Sequence, residues 1–391
     1  MKIKLLIVIL LSFLLCGCYN YREINDLAIV SAVGIDKNKE NYEVVAQIVN
    51  TQNNNKNANS NSSSSFYVYT DEGKTLQSAY RNIINNTGKF LYVSHLQLVV
   101  LSEEVAKDGI YDTLNLFMRD NDVRKQVLVI VSKKSSKETL ETITSLINLN
   151  AENIKEILLS NERYIGTTKA TTIEDIVSNY LSRKTEITIP SFDIENIKKD
   201  DDNIDELKDS NESNTITYSG MSIFKKDKLL GYLNNKESLT LNIVNNEINN
   251  FLLNIKCDDE EEYYVIEVSN NKSDLKYKKD LKFDLKFTGN GVLTEFNCKT
   301  NVESYKSMEK IEKKTNEYLK KLIDDSITNV KNEFNSDIFG FQNIIYKSNP
   351  KYYKKIKKTF YEEYFNNINV SVKTNVKIIS RGNLLKEIKY E

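Results

Sequence analysis

The N-terminal apolar run, and the point at which it stops, constrains this chain more than any other feature. Lys2 and Lys4 precede an apolar stretch from Leu5 to Leu15, broken only by Ser12. Crossing the hydrocarbon core of a bilayer takes about 20 apolar residues, so this run is too short. It has instead the form of the apolar centre of a secretory signal, with a positive start and small residues close behind. No later apolar run is long enough to span a membrane, so the remainder is expected to fold as a soluble ectodomain after export.

The residues that close the run are Leu15-Cys16-Gly17-Cys18, which resemble the lipobox of bacterial lipoproteins. In that pattern a Leu stands three residues before the modified Cys and a small residue one before it. Small residues let a peptidase close on the backbone, and the Cys thiol accepts a diacylglyceryl group. Cys16 stands where Ala or Ser is more usual. The competing reading, a plain signal peptide followed by a coincidental Cys, leaves this spacing unexplained. Cys18 is therefore assigned as the lipidation site, S-diacylglyceryl and N-acyl, with residues 1–17 removed as signal peptide.

The 374 residues left are enough for two or three domains at roughly 150 residues each. Apolar residues make up 40% of the chain, with 23 Tyr and 15 Phe, so extensive cores can form. A net charge of −1 gives no global field to attract nucleic acid, and no nucleic-acid partner is expected. Of four cysteines, one leaves with the signal and one carries lipid. Cys257 and Cys298 are too few for a disulfide-dependent scaffold. They fall in separate predicted strands; the expectation is two free thiols, with a bond left open because the strands could be adjacent.

Periodicity divides the chain further. Tyr42–Val49 and Phe66–Tyr69 read as strands of one hairpin, joined by an Asn-, Ser- and Thr-rich tract, 50–65, too polar to bury itself. Thr75–Thr87 has a helical stripe with Gly88 as its C-cap. Leu96–Leu101 and Gln126–Val131 read as buried strands, with Ser102 capping a helix that Glu103 and Glu104 begin. Thr172-Ile173-Glu174-Asp175 opens another helix, and Glu186–Phe192 is strand-like. Charge then takes over from 196 to 214, the expected linker between an N-terminal domain, 18–195, and a C-terminal one, 215–391, itself divisible in two. Beyond it, Lys225-Lys226-Asp227 turns a hairpin, Tyr263–Val268 is a strand, and Leu281–Phe287 alternates like a half-buried strand. A long amphipathic helix lies within 301–334, a second helical stretch carries Ile356, Phe360 and Tyr364, and Asn369–Ile379 is a closing strand. Strands and helices mix without strict βαβ order, which gives the class α+β.

Several fragments, taken in order, resemble the Ger(x)C family of spore germination lipoproteins, the C subunits of GerA-type germinant receptors. After Cys18 come Tyr19-Asn20, where the family more often has Trp-Asp, then Glu23-Ile24-Asn25-Asp26-Leu27 and a strand ending Gly34-Ile35-Asp36. Ser94-His95-Leu96 and Glu103-Glu104-Val105-Ala106 follow. Downstream are Ser219-Gly220-Met221, Leu230-Gly231-Tyr232, Asp337-Ile338-Phe339-Gly340-Phe341, Asn349-Pro350-Lys351-Tyr352-Tyr353 and Arg381-Gly382. The resemblance implies three packed α/β units on one lipid anchor at the outer face of the cytoplasmic membrane, which is the inner spore membrane. It also implies membrane-embedded A and B subunits as partners and a role in nutrient-triggered germination.

No enzyme signature emerges, and no cofactor, metal or direct small-molecule ligand is expected. His95 is the single histidine, so a His-based zinc site is excluded, and it is read as a hydrogen-bonded structural residue. Gly88-Lys89 lacks the flanking residues of a phosphate loop. The acids 258–262 lack calcium-loop spacing and read as an exposed turn. Lys351–Lys358, with Tyr352, Tyr353 and Ile356, reads first as a solvated helix face, and second as a contact for anionic headgroups. The rival function, a lipid-anchored solute-binding protein of a transporter, needs two similar lobes of βαβ units, which these asymmetric halves do not supply. An envelope hydrolase lacks a recognisable nucleophile and base.

Overall fold

The computed structural model describes residues 23–51, 65–142, 150–196, 214–257, 262–298 and 305–380. Cys18 with the signal segment, the polar tract 52–64, the charged segment 197–213 and the acids 258–261 lie outside the described residues.

A nine-stranded sheet organises the first part of the chain. It contains β1 (Leu27–Asn38), β2 (Asn41–Val49), β3 (Phe66–Gly73), β4 (Phe90–Tyr92), β5 (Leu98–Ser102), β6 (Leu128–Ser132), β7 (Thr188–Asn196), β8 (Asn214–Lys225) and β9 (Lys228–Tyr232). The spatial order is β3-β2-β1-β5-β6-β7-β8-β9, with β4 also paired to β1. β1, β5, β6 and β7 run parallel, while the outer strands pair antiparallel. This parallel centre explains why β5 and β6 are unbroken apolar runs: helices cover both faces, so no position is left for a polar residue facing water. One face packs α1 (Leu76–Thr87), α2 (Glu103–Asp108), α3 (Tyr111–Arg119) and α6 (Ile173–Ser182) around Val99, Leu101, Val129 and Val131. The other packs α4 (Ser136–Glu141) and α5 (Asn150–Tyr164) around Leu98, Val100 and Ile130. A bulge between Val30 and Ala32 changes the parity of β1, so Ala28 and Val30 share a face with Val33 and Ile35.

The helix caps follow the local sequence. Thr75 accepts the Ser78 N–H at the start of α1, and Gly88 closes it in the left-handed region at φ 62°. Ser102 caps α2, and Thr172 with Asp175 makes a reciprocal capping box at α6. Strands on either side of the charged segment pair with each other, β7 with β8, so β8 and β9 extend the sheet begun by the N-terminal residues.

A second sheet, β10 (Phe251–Lys256), β11 (Tyr263–Tyr277), β12 (Lys282–Phe296) and β13 (Asn369–Ser380), follows in that spatial order. The alternation seen in β12 is realised: Phe283, Leu285 and Phe287 are buried, while Lys282, Asp284 and Lys286 are exposed. β12 and β13 are parallel, joined through α8 (Tyr305–Phe334), α9 (Phe341–Ser348) and α10 (Pro350–Ile356). α8 buries Ile311, Leu319, Leu322, Ile323, Ile327 and Val330 against the sheet, with Met308 half-buried beside them. It also covers the edge of β13: the Asn316 side chain donates to the Val376 carbonyl at 2.9 Å and accepts the Val376 N–H at 2.7 Å. Between the sheets lies α7 (Asn235–Asn245), in which every residue from Glu237 to Val244 is buried. The mixed α+β class thus takes the form of two sheets with three buried clusters, one on each face of the first sheet and one shared by the second sheet with α7, α8 and the aromatic residues after them.

One expectation is overturned. Cys257 and Cys298 form a disulfide, with their Cα atoms 5.9 Å apart. Cys257 follows β10 and Cys298 follows β12; both ends fold over the start of β11, where Cys257 N–H donates to Glu262 and Asn297 N–H donates to Tyr263. Their separation in space lies inside the range a disulfide can bridge. Counting cysteines addresses whether a fold depends on disulfides, not whether antiparallel registers bring two of them together.

Candidate functional site

The parallel strands define two ends of the first sheet, and the motifs singled out in the sequence gather at both. At the carboxyl end, Asp36 closes Gly34-Ile35-Asp36 as a buried carboxylate. It accepts the Ser136 N–H at 2.7 Å, the Ser136 hydroxyl at 2.8 Å and the Lys137 N–H at 3.1 Å. These bonds satisfy the first amides of α4 and place negative charge at its positive end. Gly34 makes the approach feasible, since a Cβ there would stand 2.3 Å from the Ser136 hydroxyl oxygen. Close by, Glu103 accepts the Tyr232 hydroxyl at 3.0 Å and pairs with Lys107 at 2.8 Å. Lys107, followed by Tyr232, holds the Glu103 carboxyl below its ordinary range. Burial, followed by Glu103, raises the Tyr232 phenol, and Lys133 sits 4.6 Å from the centre of its ring. An open cleft of about 440 Å³ borders Asp36, Glu103 and Lys133. Asp36 and Glu103 are engaged by these donors, so the arrangement joins β1, α4, α2 and β9.

At the amino end the two sheets are joined by a polar network. Asp337 is buried, and its two carboxylate oxygens accept the Phe341 N–H at 2.8 Å and the Gln342 N–H at 2.7 Å, capping α9. Its carbonyl accepts the Glu186 N–H at 3.1 Å. Glu186 in turn accepts the Tyr361 hydroxyl at 2.7 Å and the Lys226 N–H at 2.8 Å. Lys225 donates to the Asn335 carbonyl at 3.2 Å and lies 4.2 Å from the centre of the Tyr361 ring, while Ser336 donates to the Phe224 carbonyl at 2.8 Å. Gly340 adopts φ +76°, and a Cβ there would stand 2.9 Å from the Lys184 carbonyl. The motif 337–341 is therefore a joint: it fastens the end of α8 and the start of α9 to the strand entrance of β7.

Burial pushes the Asp337 carboxyl up to about 7, with the Gln342 and Phe341 N–H groups pulling it down. The folded chain then holds this proton more tightly than the unfolded chain, whose carboxyl titrates near the ordinary 3.8. The resulting stability is complete below the unfolded value and is lost as pH rises through the folded one, a span worth about 4 kcal/mol. Urea unfolding across that interval should show stability falling as pH rises, with a clearly smaller fall in Asp337→Asn. An equal slope in the variant would assign the pH dependence to other groups.

The sequence-derived candidates fall as follows. Cys18 lies outside the described residues. His95, expected as a hydrogen-bonded structural residue at the mouth of a strand, is exposed in the turn between β4 and β5, its ring 5.8 Å from that of Tyr92. The strand it was expected to border begins only at Leu98, which leaves the turn free to hold the imidazole in solvent. Gly88-Lys89 is a helix C-terminus. Lys351, Lys354 and Lys355 are exposed on α10. Among the described residues no group of three or more His, Cys, Asp or Glu could hold a metal, and no helix is long and apolar enough to cross a membrane. Glu186, Lys225 and Tyr361 carry the joint; the sequence marked Lys225 only as part of a hairpin turn and gave no sign that the three meet.

Comparison with known proteins places both halves. Residues 20–194 match the family described as the spore germination protein N-terminal domain, and residues 219–382 match spore germination B3/GerAC like, C-terminal. Spore germination protein KC of Bacillus subtilis (strain 168) is 25% identical over 100% of this chain and 98% of its own length. Spore germination protein A3 of the same organism is 26% identical, covering 96% and 97%. The crystal structure of the GerBC protein has the same fold, with a TM-score of 0.55 at 17% identity over 89% of this chain and 96% of that one. The chain belongs to the GerAC-like family of spore germination proteins.

Proposed function

We propose that this chain is the lipid-anchored C subunit of a spore germinant receptor, tethered through Cys18 and working by contact with membrane-embedded A and B subunits. Matches to both family domains, over nearly the whole chain, carry this reading. The fold fits it in two ways. The described chain enters at Glu23, at the amino end of β1, so a tether at Cys18 holds one defined end of the sheet towards a membrane. The buried carboxylates at the two ends, Asp36 and Asp337, tie structural elements together, as suits a chain that works by contact.

On this reading the mature protein lies on the outer face of the cytoplasmic membrane, which becomes the inner spore membrane. Residues 18–195 and 215–391 form its two parts, separated by 196–214, with β8 and β9 of the second part completing the first part's sheet. A diacylglyceryl group supplies two chains, enough for stable attachment where a single chain binds only marginally. Cys18→Ala, expressed with its partners, should lose the lipid; membrane retention of the released, unlipidated chain to the level of the unaltered protein would refute the tether.

A further inference from the structure

The segment from Phe341 to Tyr361 packs on the second sheet's core through Ile345, Ile356 and Phe360, and both its ends are fastened at the same place. Phe341 is fixed by Asp337 and by the Phe283 ring, 4.9 Å away, and Tyr361 by Glu186. Between them stand six lysines, 347, 351, 354, 355, 357 and 358, all exposed, and no acid occurs before Glu362 and Glu363. Lys351, Lys354 and Lys355 follow the spacing of one face of α10, and Lys358 stands in the turn just after it. The opposite side faces inward: Ile356 is buried, and the Tyr352 ring stacks on Tyr277 at 6.2 Å and 19°.

Some surface lysines elsewhere take acidic partners, as Lys107 does with Glu103, Lys320 with Asp324 and Lys377 with Glu312. Among the described residues none of the six makes an ion pair. Tyr346, 53% exposed, rests its ring 5.4 Å from Tyr353, so the lobe also presents an aromatic group with a polar tip.

We propose that this lysine-rich lobe is a docking surface for anionic phospholipid headgroups. Its position favours that occupant. The lobe is fastened beside Lys184 and Glu186, at the entrance of β7; β7 lies three strands from β1, about 15 Å across the sheet. The registers of β1, β5, β6 and β7 bring Thr188 level with Ala32, so Glu186 stands level with Val30, in the amino-terminal third of β1 and towards the end at which the chain enters. Cys18 precedes Glu23 by five residues, a reach of at most about 17 Å. Resting on the anchored reading, that reach holds the lobe's end of the sheet near headgroups. Lysine ammonium groups on flexible stems suit a fluid surface of phosphates, where each contributes about fivefold to binding. Interfacial tyrosine suits the same boundary.

The test uses the chain from residue 19 onward, which contains every described element and carries no lipid, so its result is independent of whether Cys18 is the tether. Sedimentation with phosphatidylcholine vesicles, with and without phosphatidylglycerol, should show binding only to the anionic set, weakening steeply as salt is raised. Changing Lys351, Lys354, Lys355 and Lys358 to Gln should reduce that binding by at least about a hundredfold. The same number of changes on α8, at Lys306, Lys313, Lys320 and Lys321, should have little effect. An intact Cys257–Cys298 bond and an unchanged urea midpoint would show that the variants fold; should they not fold, the salt titration of the unaltered chain decides. Equal binding to neutral vesicles, insensitivity to salt, or equal losses in both variants would overturn the proposal. So would absence of vesicle binding combined with a germination defect in the lobe variant, which would point to an acidic protein partner.

Discussion

Gly220→Ala is expected to lower the unfolding free energy by about 4 kcal/mol, far beyond an ordinary glycine substitution. Gly220 lies in β8 at φ +100°, and a Cβ would stand 2.0 Å from the Leu233 carbonyl oxygen. Neither group can move aside cheaply. The Gly220 carbonyl accepts the Ser191 hydroxyl at 2.7 Å, the Met221 N–H donates to Ser238 at 3.1 Å, and Leu233 N–H donates to Met221 at 2.7 Å. These bonds hold β7, β8 and the start of α7 together, so displacement at one position disturbs the junction of both sheets. Gly88→Ala is the internal comparison: φ is also positive, at +62°, but the space is open, and only the backbone preference of about 1 kcal/mol is lost. Urea unfolding of the two variants should separate them clearly; similar losses would show that the Leu233 contact relaxes.

Loss of the Cys257–Cys298 bond should cost about 4 kcal/mol or somewhat less, the magnitude expected for closing a loop of this length. The bond spans 41 residues and ties the far ends of β10 and β12 across β11. Cys257 is buried in the core cluster of the second sheet, so Cys257→Ala also removes packing; Cys298→Ala, at a half-buried position, reports the cross-link more cleanly. Reduction should lower the unfolding midpoint of the unaltered chain and leave Cys298→Ala unmoved. A midpoint insensitive to reductant in both would show that the cross-link contributes nothing.

Much of this fold was legible because local rules and tertiary packing agree. β12 alternates because one face is buried; α8 shows a stripe because one side is; Gly88, Ser102 and Thr172 act as helix signals because their backbone groups need partners. α7 was missed for the opposite reason. It is buried all round, with Ser238, Thr240 and Asn242 inside among its leucines, and so has no polar stripe to betray a helical period. The parallel order of β1, β5, β6 and β7 and the pairing of β7 with β8 depend on contacts between distant residues, which no local window contains.

The motifs were visible as residues but not as physical devices. Gly34 and Asp36 make sense only once α4, a hundred residues on, presents Ser136 to them. Likewise Glu186 and Tyr361, 175 residues apart, form one joint that charge and aromatic content alone cannot reveal. The disulfide belongs with these, as a product of register.

The central claim is that this subunit acts from a lipid tether at Cys18. Anchoring there would confine the ectodomain to a thin layer above membrane partners and raise its effective concentration without any new contact. The most direct measurement is the germination rate of spores whose only copy is a Cys18→Ala ectodomain, released through a substituted signal and matched in protein level. Nutrient-triggered germination through this receptor should be slow, while routes that bypass receptors proceed normally. Germination at the normal rate from the untethered ectodomain would contradict the claim.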